Sequence, residues 1–305
     1  MIFCFGELLL RMSPTLNRQW IKEKVMPVNL EGTELNVAMA LCKWNQPVKY
    51  CSALPGNSLS SEIIEDLREK GIDVSSMHQS GDRIGTYYLP QGAGMDNELI
   101  YDRAYSSFAE LTPGMINWDE VLDGCSWFHF SAVSPALNNN VAAVCREALY
   151  YASQKKMMIS VDLNYQSRLW QYGKKPTQVM PELVNYCSVI VGNIWSVESL
   201  LGVPSNLESK VGKSKQELED AAAQSMMDMK RQFEHATSIA YTFRSEKNYW
   251  AVLQQGKEKV VSREFEMGEE IDNDDTFVAG LIYGLFNKQA PQEVVDFAVQ
   301  QIKNL

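Results

Sequence analysis

The stretch MMISVDLN (157–164) runs almost unbroken in apolar residues and then turns polar at Asp162 and Asn164. SVIVGN (188–193) repeats the pattern and ends on Gly192 and Asn193. Near-continuous apolar runs of this length suit parallel strands covered on both faces. Upstream, SWFHFS (126–131) reads as a third buried strand, and IFCF (2–5) and VKYCSAL (48–54) as two more. Helical spacing fills the gaps. GTELNVAMALCKW (32–44) places Leu35, Ala38, Met39 and Cys42 on one face, and SSEIIEDLREKGID (60–73) is amphipathic and stopped at Gly71. NNNVAAVCREALYYASQKK (138–156) carries Val141, Val144, Cys145, Ala148 and Leu149 at helical spacing, with three asparagines to cap it. Alternation of this kind implies βαβ units and an α/β fold with a doubly wound, mostly parallel sheet. Ligands of such sheets bind at the carboxyl ends of the strands. Asp162, Asn164 and Asn193 are therefore site candidates by position, although polar residues at loop starts are also commonplace.

Two segments break the alternation. Residues 15–31 and 83–103 read as strands and turns without helices, inserted on the α/β core as a small β lid. A lid over a crevice excludes water from chemistry; a surface hairpin or a dimer contact are the plainer readings. The expected division is a core of 1–14, 32–82 and 104–305 and a lid of 15–31 and 83–103. The polar segment 205–236 leads into a methionine-bearing helix, with Met226, Met227 and Met229 expected to fill core.

Composition excludes several classes. The chain has 305 residues, 45% of them hydrophobic, and a net charge of −10. That charge opposes a nucleic-acid footprint, which needs a basic face. No apolar run approaches the ~20 residues of a membrane span, and MIFCFGELLLRMSP lacks a basic leader and reads as a first strand. Six scattered cysteines without a CxxC pair are expected as reduced, buried thiols in the cytoplasm. The three histidines lack metal-ligand spacing, and His129, inside WFHFS, is expected as a satisfied core residue.

Near the end of the chain, GEEIDNDDTFVAGLIYGL (268–285) begins with five carboxylates in seven residues, Glu269, Glu270, Asp272, Asp274 and Asp275, and continues as a helix. The carboxylates are a solvated face, a divalent-cation ligand set from Asp272, Asp274 and Asp275, or a phosphate site that uses metal to screen them. Gly280 and Gly284 are spaced for close helix packing.

Together FGELLLRMSP (5–14), GTELNVAMAL (32–41), GDRIGTYYL (81–89), YDRAYSS (101–107), WFHFSAVSPAL (127–137), DLNY–RLW (162–170) and DTFVAGLIYGL (275–285) resemble the ribokinase (PfkB-type) family of carbohydrate kinases. The closest likeness is to 2-keto-3-deoxygluconate kinases. The resemblance implies ATP-dependent transfer to a sugar hydroxyl, with magnesium. It implies Asp275 as base, and Gly32, Glu34, Asn36, Tyr87 or Tyr88, Tyr101 and Arg103 on the sugar side, joined by Asp162, Asn164 and Arg168. It implies Asn193 and Thr276 on the nucleotide side, and a homodimer through the lid. Arg103 suits a sugar acid because a guanidinium grips a carboxylate bidentately; its plainer reading is a surface salt bridge.

Four departures from the family pattern stand out. The glycines before the base are replaced by Asp272, Asn273 and Asp274. Two extra carboxylates at ~5 Å from a phosphate oxygen repel it by roughly 3 kcal/mol each at an effective dielectric near 20. The N-x-x-E motif reads Asn193-Ile194-Trp195-Ser196, D-x-N-x-R has Gln166 with Arg168 two residues on, and the Gly-Gly opening reads Glu31-Gly32. The chain closes on QIKNL, earlier than the family does, so the adenine side is expected to be short. Two functions of different class follow: a sugar-acid kinase, or a pseudokinase that binds a sugar acid or a protein partner without turnover.

Overall fold

The computed structural model describes residues 1–90, 99–207, 212–245, 248–266 and 274–303. The first half of the chain runs β1 (Ile2–Phe5), β2 (Leu9–Met12), α1 (Gln19–Glu23), β3 (Val28–Glu31), α2 (Thr33–Lys43), β4 (Val48–Cys51), β5 (Ala53–Leu54), α3 (Ser58–Glu69), β6 (His78–Gln79), β7 (Gly85–Tyr88) and β8 (Ile100–Asp102). It continues with α4 (Trp118–Val121), β9 (Trp127–Ser131), α5 (Asn139–Gln154), β10 (Met158–Asp162), α6 (Met180–Val184), β11 (Val189–Gly192), α7 (Ile194–Leu201) and α8 (Lys215–Gln232). The last part holds β12 (Ser238–Arg244), β13 (Asn248–Gln255), β14 (Glu258–Val261), β15 (Phe265–Glu266), α9 (Asp274–Phe286) and α10 (Pro291–Lys303).

The large sheet has the order β14-β13-β12-β11-β10-β9-β1-β4, with β15 also on β13. The six strands from β4 to β12 are parallel, and β13 and β14 close that end antiparallel. The two faces bury separate cores. Phe3, Phe5, Phe128, Phe130, Ile159, Val161 and Ile190 face one side, with α5 to α8. Ile2, Cys4, Trp127, Val189 and Val191 face the other, with α2, α3, α9 and α10. Period-two side chains buried on both sides explain why these strands read as unbroken apolar runs. Asn138 caps α5, its Oδ1 accepting from Asn140 N and Val141 N at 2.9 Å each.

The small sheet has the order β3-β2-β7-β8. It takes in Leu9–Met12, upstream of the expected boundary, and β2 pairs in parallel with β7, Leu9 facing Gly85. Segment 15–31 was expected to lack helix, but it contains α1. That single turn is braced by Gln19 Nε2 donating to Glu23 Oε1 at 2.8 Å and buries no residue, so it has no apolar face for periodicity to show.

Three further expectations need correction. Met226 and Met229 are buried in α8, but Met227 is 49% exposed, since it lies about 100° round the helix from its neighbour. His129 is buried and only half satisfied: Nδ1 meets Ser160 Oγ at 2.9 Å, while Nε2 has no partner among the described residues. Burial depresses its pKa to about 3, so the ring is neutral. Cys42 and Cys125 are only partly buried; all six cysteines are free thiols. Gly280 and Gly284 lie against α10, where a Cβ on Gly280 would sit 2.7 Å from Ala298 Cα. Close helix packing is therefore what that spacing serves.

Candidate active site

The carboxyl end of β1, the β3–α2 junction and the N-terminus of α9 meet where the two sheets adjoin. Gly32 makes that junction. Its φ of 151° is one that residues with a side chain rarely adopt, and a Cβ there would lie 2.4 Å from the Glu7 carbonyl oxygen. Gly6 is constrained by space: a Cβ would collide with the Glu34 carboxylate.

Glu34 is therefore tucked beneath the end of β1. It is buried, and its Oε1 accepts from Ser131 N at 2.8 Å and from Ser131 Oγ at 2.6 Å. Burial raises its pKa, with the Ser131 hydrogen bonds pulling the other way. Through these bonds Glu34, expected on the sugar side, also joins α2 to β9.

Asn36, one turn into α2, donates through Nδ2 to Asp275 Oδ2 at 2.9 Å and to Glu31 Oε2 at 3.2 Å. Asp275 lies half-buried in the first turn of α9. Desolvation, together with the carboxylates of Glu34, Asp274 and Glu31, pushes its pKa up to about 7 against the pull of the Asn36 hydrogen bond. Thr276 follows it, also half-buried. Of the acidic stretch before the base, Glu269, Glu270, Asp272 and Asn273 lie outside the described residues.

Arg103 is neither exposed nor at the surface. It is 7% exposed and forms a buried ion pair with Glu7, donating to Oε2 from Nε at 2.9 Å and from Nη2. Ser106 Oγ donates to the other Glu7 oxygen at 2.5 Å. The plainer expectation of a surface salt bridge is thus corrected. Nη1 of Arg103 has no protein partner among the described residues, and the guanidinium stands 5.7 Å from the centroid of the Tyr101 ring. Tyr101 in turn packs on Tyr87 with centroids 6.2 Å apart; Tyr88 is half-buried at the end of β7. Tyr101, Arg103 and Arg168 border a cleft of about 760 Å³, and Arg168 donates to the Leu99 carbonyl at 3.2 Å.

A second, smaller pocket of about 90 Å³ opens at the carboxyl ends of β10, β11 and β12. Its polar lining includes Asp162, Asn164, Asn193, Ser196, Thr242 and Asp274, with no cationic side chain among the described residues. Asp162 is buried, and its Oδ2 has no hydrogen-bond partner among the described residues. Desolvation, then Asp275, Asp274 and Glu34, raise its pKa well above the ordinary carboxylate range. Asn193 Oδ1 caps α7, accepting from Trp195 N at 3.1 Å and Ser196 N at 2.9 Å, and Asn164 Oδ1 accepts from Gln166 Nε2 at 2.8 Å. Asp274 accepts from the Tyr249 hydroxyl at 3.1 Å.

The pfkB family of carbohydrate kinases matches residues 1–237. The chain belongs to that family. It is similar to the 2-dehydro-3-deoxygalactonokinase of Haloferax volcanii, 30% identical over 167 residues, which are 54% of this chain and 52% of that protein. The chain thus matches about half the length of that curated relative. Among solved pfkB-type structures, the 2-dehydro-3-deoxygluconokinase of Thermotoga maritima superposes with a TM-score of 0.86 at 27% identity, over 99% of this chain and 92% of that one. A fructokinase of Xylella fastidiosa with bound ATP shares the fold, with a TM-score of 0.74 at 16% identity, over 99% and 88% of the two chains.

The structure brings Asn36 against Asp275 and Glu31, and packs Tyr87 on Tyr101 beside Arg103, while only Tyr101, Arg103 and Arg168 of the expected sugar-side residues border the larger cleft. Asp162, Asn164 and Asn193 gather at the smaller pocket. Sequence reasoning missed Glu7, Ser106, Arg11 and the contact of Glu31 with Asn36. A signal for Glu7 was present: a carboxylate directly after the glycine that ends an otherwise apolar strand is costly to bury unpaired.

Proposed function

We propose that the chain transfers a phosphoryl group from ATP to a hydroxyl of 2-keto-3-deoxygluconate or a closely related sugar acid. The observation that carries this reading is Asp275: a carboxylate in the first turn of α9, held at 2.9 Å by Asn36 and raised to a proton affinity near neutrality. A base of that strength takes a hydroxyl proton as attack begins. The backbone N–H groups at the start of α9 stabilise charge growing on the transferred phosphoryl group. Arg103 offers Nη1 to the sugar's carboxylate, with Tyr87 and Tyr101 walling the ring and Arg168 and Tyr88 at the rim. The named activities of the relatives in Haloferax volcanii and Thermotoga maritima support the substrate class. The bound ATP of the fructokinase supports the donor.

The smaller pocket fits magnesium by its chemistry. Two carboxylates, the Ser196 and Thr242 hydroxyls, no cation among the described residues and a buried Asp162 oxygen without a described partner suit a hard divalent ion. Among the described residues no group of three or more such ligands could hold an ion alone, so donor phosphates complete the shell. Asp162 and Asp274 would hold the ion, which supplies charge neutralisation between phosphate oxygens when bound. Asn193 and Thr276 border the donor. Without the ion the carboxylates repel phosphate, and that favours the second reading, a pseudokinase binding sugar acid without turnover.

We read the small sheet as the lid and as a homodimer contact, and the free thiols as suited to the cytoplasm. No described helix is long and apolar enough to cross a membrane. The test is turnover: protein, ATP, magnesium and 2-keto-3-deoxygluconate, with phosphorylated sugar detected by mass spectrometry and Asp275→Asn as control. Product that disappears in the control is expected. No product, with calorimetry still recording sugar binding, would overturn the kinase in favour of the pseudokinase.

A further inference from the structure

Residue 105 holds a backbone conformation that its own side chain makes costly. Tyr105 has a φ of 57°, in the left-handed region, where the Cβ of any residue but glycine crowds the backbone and a bulky ring is a rare occupant. Of the other seven non-glycine residues in that region among those described, Lys24, Asn45, Lys156 and Lys288 follow the ends of α1, α2, α5 and α9. There a left-handed residue is an ordinary way to stop a helix. Tyr105 stops no helix, and it is the only aromatic residue of the set.

The residues on either side fix the turn. Arg103 is held by Glu7, and Ser106 donates through Oγ to the same carboxylate and through N to the Arg103 carbonyl at 3.3 Å. Ser107 donates to the Arg83 carbonyl from N at 2.8 Å and from Oγ at 3.1 Å. Arg103, Ser106 and Ser107 are buried, whereas Tyr105 is 77% exposed. These anchors account for the shape of the backbone, and glycine would meet that shape at less cost. They do not account for the ring, which is left in water and gains little from packing.

The cleft supplies a reason. Tyr105 borders the same cleft as Tyr101 and Arg103, together with Met115, Leu137 and Leu169. A sugar acid carries a charged end, hydroxyls and faces made of C–H bonds. The Arg103 guanidinium suits the charged end. A C–H face is best met by a flat apolar surface, and an aromatic ring offers a large one. An exposed ring on the wall of a cleft still has that surface to bury. We infer that Tyr105 is a ligand-contacting residue: its ring lies against the C–H face of the sugar acid, and that contact offsets the cost of its backbone. This rests on the reading of the cleft as the sugar-acid site. Strained backbone collects at such sites.

Calorimetric titration of the full chain with 2-keto-3-deoxygluconate, without nucleotide, tests this beside thermal unfolding. Tyr105→Gly removes the ring and the crowding together. It should bind the sugar acid about tenfold more weakly, the worth of roughly 50 Å² of apolar surface no longer withdrawn from water, while its Tm stays no lower than the parent's. Tyr105→Phe keeps the ring and should recover most of the affinity. A glycine variant that binds as tightly as the parent overturns the inference. So does one whose Tm falls, since the ring would then be a packing element. A parent that binds the acid without turnover overturns the kinase alone, and the glycine variant still decides the role of Tyr105. A parent that binds no sugar acid overturns both.

Discussion

Asp162 ends β10 with one carboxylate oxygen sealed from water and unpartnered, among Asp274, Asp275 and Glu34. Its pKa is raised in the folded protein above the ~3.9 of an unfolded aspartate. Between those two values the folded state holds more protons, so this residue's contribution to stability falls as pH rises and is at its most unfavourable above the folded pKa. Asp162→Asn should therefore stabilise the ligand-free protein at pH 8 by about 2 kcal/mol, with the difference shrinking towards pH 5. Thermal unfolding at the two pH values checks this. The same variant should bind magnesium and nucleotide more weakly, which calorimetry reads. A stability loss at pH 8 would refute the account of an uncompensated charge. At this scale Asp162 was legible by position, because it ends a strand whose pattern is clear; Asn36 and Asp275 were named only by the family resemblance. Glu7 was marked only by its place after the strand-ending glycine; the pairing that buries it was not legible, because its partner Arg103 lies 96 positions away.

Helix α9 carries Asp275, the proposed base, at one end and leans on α10 along its length. Gly280 and Gly284 let the two backbones approach, and the space above Gly280 is taken by the backbone of Ala298. Gly280→Ala should force the helices apart at a cost of about 1–3 kcal/mol, partly offset by alanine's better helix propensity. Because Asp275 lies just over one turn before Gly280, the displacement should also reduce turnover more than it raises KM. Denaturant unfolding and steady-state kinetics measure the two effects. Full stability with full activity would show that the contact is slack. Helices with an apolar face, such as α2, α3 and α5, were legible from spacing. The short α1 was not, since one exposed turn has no periodicity. Nor was the membership of β2 in the small sheet, since its parallel partner β7 is remote and only the fold brings Leu9 beside Gly85.

Over the whole molecule, the two cores on either face of the large sheet account for nearly all the apolar burial, while the small sheet leaves some of its apolar side chains open. Val28 and Ile100 on its two outer strands are 52% and 59% exposed, and Ile21 and Val25 in the segment between β2 and β3 are 57% and 62% exposed. Scattered exposed apolar residues are ordinary; four belonging to one small sheet and its connection suit an interface. Light scattering should give a mass near twice that of the chain, and Ile100→Glu should halve it. A parent that scatters as a monomer at working concentration would exclude the dimer. The parallel pairing of β2 with β7 has a further consequence, for the order in which the chain folds. Pairing residues 9–12 with 85–88 closes a long loop that holds β3, α2, β4 and α3, and it is expected to follow their condensation, because closing so long a loop brings no reward before its ends are held. The small sheet is then expected to assemble last and to open first, so the side chains it carries meet those of the large sheet only after everything beneath them is in place.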